Sequence, residues 1–241
     1  MTLILVHSPK GGVGSTFITA QLAIGLAQRG QEVAAIDCTY QDSLKLHFGL
    51  RPSHQLANVG GDESRALVAS GVALMNGHAL SRTGRTDDEP PEIDQALFPE
   101  ARVTIVDVAA GDHNLKDRLM PFATLHVCVL LPTPASLSVL PRIEVGTPAV
   151  SLPKTVFVLN QIDERLRLSR HTQKFVRELF HGALIGTVRR DEAVNEALAM
   201  FEPIPRFAPA SVVLSDLTTL IDAVESRCGL AVDVPELVGS E

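Results

Sequence analysis

The 241-residue sequence predicts an α/β fold in one domain, a mostly parallel central sheet with helices on both faces. Three observations predict it. Short, almost wholly apolar runs recur along the chain without the alternation of a one-sided sheet, as strands buried on both faces do. Stretches of helical periodicity separate those runs, so strand and helix alternate. The length suits one domain with a well-buried core, and aromatics are scarce (4%, no Trp, one Tyr), which leaves Leu, Val, Ile and Ala to build that core.

Leu3 to His7 is the first apolar run, and it leads into a glycine-rich turn at Ser8–Gly14. From Thr16, residues Ile18, Leu22, Ala23, Leu26 and Ala27 recur at helical spacing, and Gly30 ends that helix. Val33 to Ile36 is a second buried strand, stopping at Asp37 and completing a βαβ unit, the building block of a parallel sheet. Val103 to Val106 follows the same pattern and ends at Asp107. Leu125–Leu131, Val156–Leu159 and Leu184–Val188 read as further strands. Ser169–Phe180, Glu192–Met200 and Val212–Cys228 read as helices. Between Arg51 and Glu100 the pattern weakens, with Gly60-Gly61, Gly77, Gly84 and Pro90-Pro91 as punctuation. The expectation there is a surface excursion with one helix near Asp62–Ala69 and a mobile loop near Arg82–Pro91. The domain then spans 1–229, and residues 230–241 form an acidic, loosely packed tail.

The chain carries 21 Lys and Arg against 28 Asp and Glu, a formal charge of −7, so no global attraction draws it to nucleic acid or anionic lipid. No basic stripe is visible, and nucleic acid is not expected as a partner. Cys38, Cys128 and Cys228 stand far apart, with no CxxC and no metal-ligand spacing, and Cys128 lies in a buried run. No secretory leader and no run of about 20 apolar residues is visible, which predicts a cytoplasmic protein without direct membrane insertion. His7 reads as a packed strand end, and His47, His54 and His78 show no ligand spacing. Arg82 and Arg85 read as a solvated loop. Leu115, Leu119, Met120 and Phe122 are either core or a partner surface.

The chemistry concentrates in SPKGGVGST, between a strand and a helix. Gly11, Gly12 and Gly14 let the backbone curl so that several N–H groups, those of Val13 and Ser15 among them, converge on phosphate oxygens. The helix N-terminus near Ser15 adds its partial positive charge, and Thr16 offers a hydroxyl to Mg²⁺. The ordinary phosphate loop is G-x-x-x-x-G-K-[ST]; here Pro9 replaces the first glycine and Ser15 the lysine, while Lys10 stands at the start of the loop.

KGGVGST resembles the deviant Walker A motif of the MinD/ParA superfamily of P-loop ATPases. The resemblance implies a P-loop NTPase fold, ATP and Mg²⁺ as ligands, and a homodimer that sandwiches ATP, with Lys10 reaching the partner's nucleotide. It also implies that Asp37 occupies the switch I position near Mg²⁺ and that Asp107, in TIVDVAAG, occupies the Walker B position. VLNQID resembles the base-binding segment and so places Asn160 at adenine. VRRDEAVNEALA resembles the loop that closes over the base, with Asp191 beside it and Arg189 and Arg190 flanking it, one of them to stack on adenine or to face water. The loop ending GGVGST, then IDC with SLKLHFGL, then RRDEAVNEALA together resemble the narrower BcsQ/YhjQ family of cellulose-synthase operons. That likeness implies a cytoplasmic component of bacterial cellulose secretion, recruited to the inner membrane by partners, among them regulatory or small accessory subunits of the cellulose synthase complex.

Two departures from the superfamily pattern bear on activity. Ser15 removes a cation from the β- and γ-phosphates. Thr39, in IDCTYQD, stands where active members carry a second aspartate that positions water, and a hydroxyl does not take up a proton as a carboxylate does. Asp42 is the nearby carboxylate that substitutes if the loop folds inward. Tight ATP binding with slow or absent hydrolysis is therefore expected. A ParA-like DNA-segregation ATPase, a MinD-like membrane-positioning ATPase and a scaffold with a degenerate loop are the competing readings.

Overall fold

The apolar runs become the strands of one sheet. The computed structural model describes residues 1–62, 65–81, 92–142 and 152–230. Its strands are β1 (Thr2–Val6), β2 (Val33–Cys38), β3 (Ala57–Asn58), β4 (Leu67–Ala69), β5 (Val72–Asn76), β6 (Val103–Val108), β7 (Leu125–Leu130), β8 (Thr155–Ile162) and β9 (Leu184–Arg189). They lie in the order β3-β5-β2-β6-β1-β7-β8-β9, every pairing along this path parallel, with β4 added antiparallel to β5. The helices are α1 (Ser15–Gln28), α2 (His113–Leu119), α3 (Pro134–Leu137), α4 (Arg167–Phe180), α5 (Ala193–Ala199), α6 (Ile204–Phe207) and α7 (Val212–Cys228).

Alternation along the buried strands sorts their side chains to two faces. Ile4, Val6, Ala35, Ile105, Val127 and Val158 point to one, where α1 and α7 cover them. Leu3, Leu5, Ile36 and Val106 point to the other, above α2, and Cys128, Phe157 and Leu159 meet α4 through Val176 and Phe180. Helix α1 is apolar around most of its circumference, and Phe17 through Leu26 are all buried, because the sheet lies on one side and α7 on the other. β1 is the middle of the topology: successive strands leave it through β6 in one direction and through β7 in the other. In such a sheet the crevice at the carboxyl ends beside that switch point is where ligands bind. The register pairs Val6 with Asp107 and Asp107 with Asp37, so both strand-end aspartates sit beside the loop that follows β1.

The weak region differs from expectation. The segment expected as a helix near Asp62–Ala69 is instead a short turn at Arg65 followed by strand β4, whose Leu67, Val68 and Ala69 pair with Leu74, Ala73 and Val72 and so cover the open edge of β5. The expected loop at Arg82–Pro91, including Arg82 and Arg85, lies outside the described residues, as does the acidic tail beyond Leu230. Leu230 itself packs against the α1–α7 core. Leu115 and Leu119 are fully buried, and Met120 and Phe122 pack against the same cluster, so the four belong to the core. Cys38 and Cys128 are buried free thiols. Among the described residues no helix is long and apolar enough to cross a membrane.

Candidate functional site

The loop after β1 is held from both sides. Ser8 Oγ donates to the Val129 carbonyl (2.7 Å) and the His7 N–H to Val127 O (3.1 Å), tying the loop's first residues to β7. At its other end Asn160 Nδ2 donates to Val13 O (2.9 Å), and Asn160 Oδ1 accepts from the Gln161 N–H (2.9 Å). Gly12 (φ 76°) and Gly14 (φ 92°) take left-handed conformations, and a Cβ on Gly14 would stand 2.3 Å from Asn160 Nδ2. Glycine is therefore required at 14 twice over, by backbone and by neighbour. α1 starts immediately after Gly14 with no side-chain cap, so the N–H groups of its first turn stay available. A 14-residue helix ending in free donors, beneath a glycine loop, attracts an anion.

These N–H groups open onto a cavity of about 520 Å³, inside the usual range for ligand pockets. Lys10, Gly11, Gly12, Gly14, Ser15 and Thr16 line its phosphate-loop end. Lys10 is exposed and forms no ion pair among the described residues. Asp107 lines the cavity from β6 at 1% exposure, and neither carboxylate oxygen has a hydrogen-bond partner of ordinary geometry among the described residues. Burial pushes its pKa up to about 8; the nearby Thr16 and Thr19 hydroxyls oppose that shift. Thr19 directs its proton instead to Ser15 O (3.0 Å). A buried carboxylate left without a donor, beside a threonine at the start of α1, is a donor set that fits a hard divalent cation such as Mg²⁺.

Asp37 is placed differently from expectation. It does not line the cavity; it is completely buried at the end of β2, accepting from Thr39 N (2.8 Å), Thr39 Oγ1 (2.7 Å) and Leu44 N (3.0 Å). Burial raises its pKa while these three bonds lower it. Its carboxylate closes the switch turn, and the same bond takes up the Thr39 hydroxyl proton. Asp42 is also turned away: its Oδ2 pairs with the buried Lys45 ammonium. The Val13 side chain is 1% exposed within the core, so its backbone alone is at the loop.

The far end of the cavity is built from β8, the end of β9 and α5. Asn160 and Gln161 line it, followed by Arg189, Arg190 and Asp191. Val194, Asn195 and Leu198 of α5 and Phe17 of α1 supply further walls, and His47 stands against Phe17 with ring centroids 5.9 Å apart. Burial lowers His47 to about 4, so its imidazole is neutral at pH 7. Arg189 forks onto Asp216 of α7 (2.7–3.1 Å) and also reaches Ser215 Oγ and Val212 O. Asp191 accepts from Ser211 Oγ (2.7 Å) and the Ala193 N–H (3.0 Å). Both residues thus edge the cavity while their charges fix β9 and α5 to α7. Tyr40, His47, Gln161, Val194, Asn195 and Leu198 also line the cavity without having been singled out from the sequence as ligands, and Arg190, expected to flank the base loop, lines it too. Helical spacing in VNEALA was the one signal that could have found Val194 and Leu198 together.

The histidine at the loop's base matches its expected role. His7 is fully buried between the rings of His113 (5.4 Å) and His126 (6.1 Å), and burial holds its pKa well below the ordinary value.

With this geometry in view, comparison with known proteins gives a consistent result. The uncharacterized ATP-binding protein MJ0547 of Methanocaldococcus jannaschii is 24% identical over 220 residues, 86% of this chain and 81% of that one. A chain of the MinC:MinD cell division protein complex of Aquifex aeolicus superposes with a TM-score of 0.72 at 18% identity, over 94% of this chain and 96% of that one. The septum site-determining protein MinD complexed with Mg-ADP from Pyrococcus horikoshii gives 0.67 at 18% identity, over 95% and 97%. The fold is that of the MinD/ParA P-loop ATPases. A family model described as cellulose biosynthesis protein BcsQ matches residues 1–224, and the chain accordingly belongs to the BcsQ family.

Proposed function

We propose that this chain is an ATP- and Mg²⁺-binding switch that dimerises on ATP, turns it over slowly or not at all, and supports the assembly, localisation or regulation of the cellulose synthase secretion complex. The observation that carries the nucleotide reading is the uncapped N-terminus of α1, curled by Gly12 and Gly14 and facing the unpartnered Asp107 carboxylate. The loop N–H groups bind phosphate oxygens, and Thr16 with Asp107 would hold Mg²⁺, whose charge neutralises those oxygens when bound. Asp37 supports the site from behind by fixing the switch turn. Weak hydrolysis follows from the groups around the phosphate loop: Ser15 brings no charge, the Thr39 hydroxyl donates to Asp37, and Asp42 lies outside the cavity with its Oδ2 paired to Lys45. No carboxylate other than Asp107 therefore lines the cavity near the phosphate loop to take a proton from attacking water. The cellulose role rests on membership of the family, and recruitment to the inner membrane rests on it in turn.

Light scattering coupled to size exclusion tests this, run without nucleotide and with ATP or ADP plus Mg²⁺, with phosphate release followed in parallel. The expected result is an ATP-favoured dimer with almost no phosphate released. Lys10→Ala should weaken ATP binding and dimerisation together, because Ser15 leaves the partner's Lys10 as the cation that reaches the γ-phosphate. A monomeric Lys10→Ala protein with undiminished ATP affinity refutes that coupling, and brisk turnover refutes the silent switch.

The ParA-like alternative has one observation in its favour. The fold gathers Arg167, Arg170, Lys174 and Arg177 on the exposed side of α4, a basic stripe that the linear sequence did not show. ATP-dependent retention of DNA in a mobility-shift assay decides between the two, since the secretion switch is expected to retain none.

A further inference from the structure

Charge is spread unevenly over this chain, and α4 runs against the whole. Arg167, Arg170, Lys174 and Arg177 recur at intervals of three and four positions, so they share one side of the helix, and all four are exposed. Glu178 is the one carboxylate within α4, whereas the chain as a whole carries a formal charge of −7. The opposite side, with Ser169, Thr172, Val176 and Phe180, is buried toward the sheet.

These cations are lightly held. Arg167 and Arg177 form no ion pair among the described residues. Lys174 reaches Glu178 only at 3.8 Å, with both side chains in solvent. Arg170 donates to the backbone carbonyl of Glu164 (2.5 Å), which leaves its charge uncompensated. Arg165, just before the helix, is paired with Asp163, while Glu164 and His171 are exposed nearby.

Apolar side chains are exposed in the same place. Among the described residues eight large apolar side chains are exposed, and three of them stand here: Leu166 (55%), at the start of α4, Leu168 (53%) and Phe175 (52%). Leu168 and Phe175 are seven positions apart, nearly two whole turns, so they lie in one row along the helix. Each follows a cation, Arg167 or Lys174, by one place, which sets the apolar row about 100° round from the basic one.

We infer that this side of α4 is a docking surface for an anionic lipid bilayer, touched from one side and not crossed. The basic row lies against headgroup phosphates, and Leu168 and Phe175 sink among the headgroups beside it. Duplex nucleic acid is gripped mainly through its phosphates and would leave the apolar row in water, whereas a bilayer occupies both rows. The acidic remainder of the chain is repelled by the same surface, which turns α4 toward it. This goes beyond recruitment by partner proteins, and it does not require a bound nucleotide.

Flotation of the full chain with vesicles of phosphatidylcholine, alone or mixed with phosphatidylglycerol, tests the inference. The protein should float with the mixed vesicles at low salt, stay behind with phosphatidylcholine alone, and be released as ionic strength rises. Arg170→Gln combined with Arg177→Gln should weaken binding about 25-fold, roughly five-fold for each charge lost at the surface. Leu168→Ser combined with Phe175→Ser should weaken it about ten-fold with every charge kept. All four side chains are exposed, so both variants should keep the wild-type melting temperature and ATP affinity. Failure of the wild-type protein to float with the mixed vesicles overturns the inference and leaves the nucleotide reading untouched. Undiminished flotation of the charge variant overturns it too, and so does undiminished flotation of the apolar variant, which reduces the contact to charge alone. Duplex DNA retained by the wild type and lost in the charge variant, without flotation, assigns the basic row to nucleic acid instead.

Discussion

Replacing Gly14 with alanine tests whether the phosphate loop and β8 are one mechanical unit. Two costs are legible in the geometry. A residue with a Cβ at φ 92° loses about 1–2 kcal/mol relative to glycine in a left-handed conformation. The new Cβ also stands 2.3 Å from Asn160 Nδ2, so the carboxamide has to leave its bond to Val13 O. Breaking that bond costs about 1–3 kcal/mol, because the buried Asn160 amide, at 3% exposure, loses its acceptor. The sum is about 2–5 kcal/mol. With a urea m-value of about 2 kcal/mol/M, the midpoint should fall by about 1–2.5 M, measured by circular dichroism without nucleotide. The decisive measurement is the same substitution in an Asn160→Ala background. There the collision is gone and only the backbone cost of about 1–2 kcal/mol remains, so the double mutant should be about 1–3 kcal/mol more stable than additivity predicts. Additive costs, to within about 0.5 kcal/mol, would refute the claim that Asn160 and Gly14 share one packed contact.

Three more outcomes follow from the site. Asp107 keeps its proton up to about pH 8 in the folded chain against an ordinary value of 3.8, so the unfolded chain binds fewer protons in that window and stability falls as pH rises from about 4 to about 8. Asp107→Asn should flatten that slope in thermal melts run with EDTA, and an unchanged slope would show that the carboxylate is solvated. Arg189→Ala should destabilise the chain by about 1 kcal/mol or less, because the fork on Asp216 is part-exposed, and should leave ATP affinity nearly unchanged; a large loss of affinity would make Arg189 a direct ligand. Thr39→Asp should raise phosphate release above the wild-type rate by placing a proton acceptor at the cavity wall, and no increase would locate the block elsewhere, with Ser15 the next candidate.

Six of the nine strands were legible because burial on both faces leaves an almost uninterrupted apolar run, and their observed bounds differ from the expected ones by a few residues; β3, β4 and β5 lie in the stretch read as a surface excursion and were missed. The phosphate loop was legible for a related reason: three glycines between a buried strand and a helix suit few other purposes. What the sequence concealed were matters of partner choice. Asp37 and Asp107 end equivalent strands and look alike in sequence, yet one is tied up by Thr39 and Leu44 while the other is left without donors. No periodicity distinguishes them. Arg189 and Asp191 reveal their anchorage only when α7 and its N-cap, 20 or more positions later, fold back beside them. The irregularity near the end of β8 is equally silent: Leu159 pairs with Thr187 and Ile162 with Arg189, and the one extra residue on β8 leaves no compositional trace. The segment read as a helix near Asp62–Ala69 went wrong because its short apolar cluster carries too few residues to fix a period; pairing with β5 decided it.

The charges lining the cavity explain why binding and assembly should be joined in this protein. Its lining cations are Lys10, Arg189 and Arg190. Arg189 is neutralised by Asp216, and Arg190 stands at the base end, 4.0 Å from Glu192. Lys10 is thus the lining cation at the phosphate end, exposed on the rim rather than folded over the loop. A triphosphate in this pocket meets backbone donors, a helix terminus and a bound divalent ion, with no internal ammonium at position 15 to complete neutralisation. The missing charge is most readily supplied by a second molecule presenting the same rim, and the attraction is mutual because each copy lacks what the other provides. On the proposed reading, loss of the internal lysine would do more than slow turnover: it would transfer part of the nucleotide's binding energy to the dimer interface. A chain with no free base at its switch turn would then hold that dimer for as long as ATP stays bound, which suits the proposed role in organising a machine better than a cycling one.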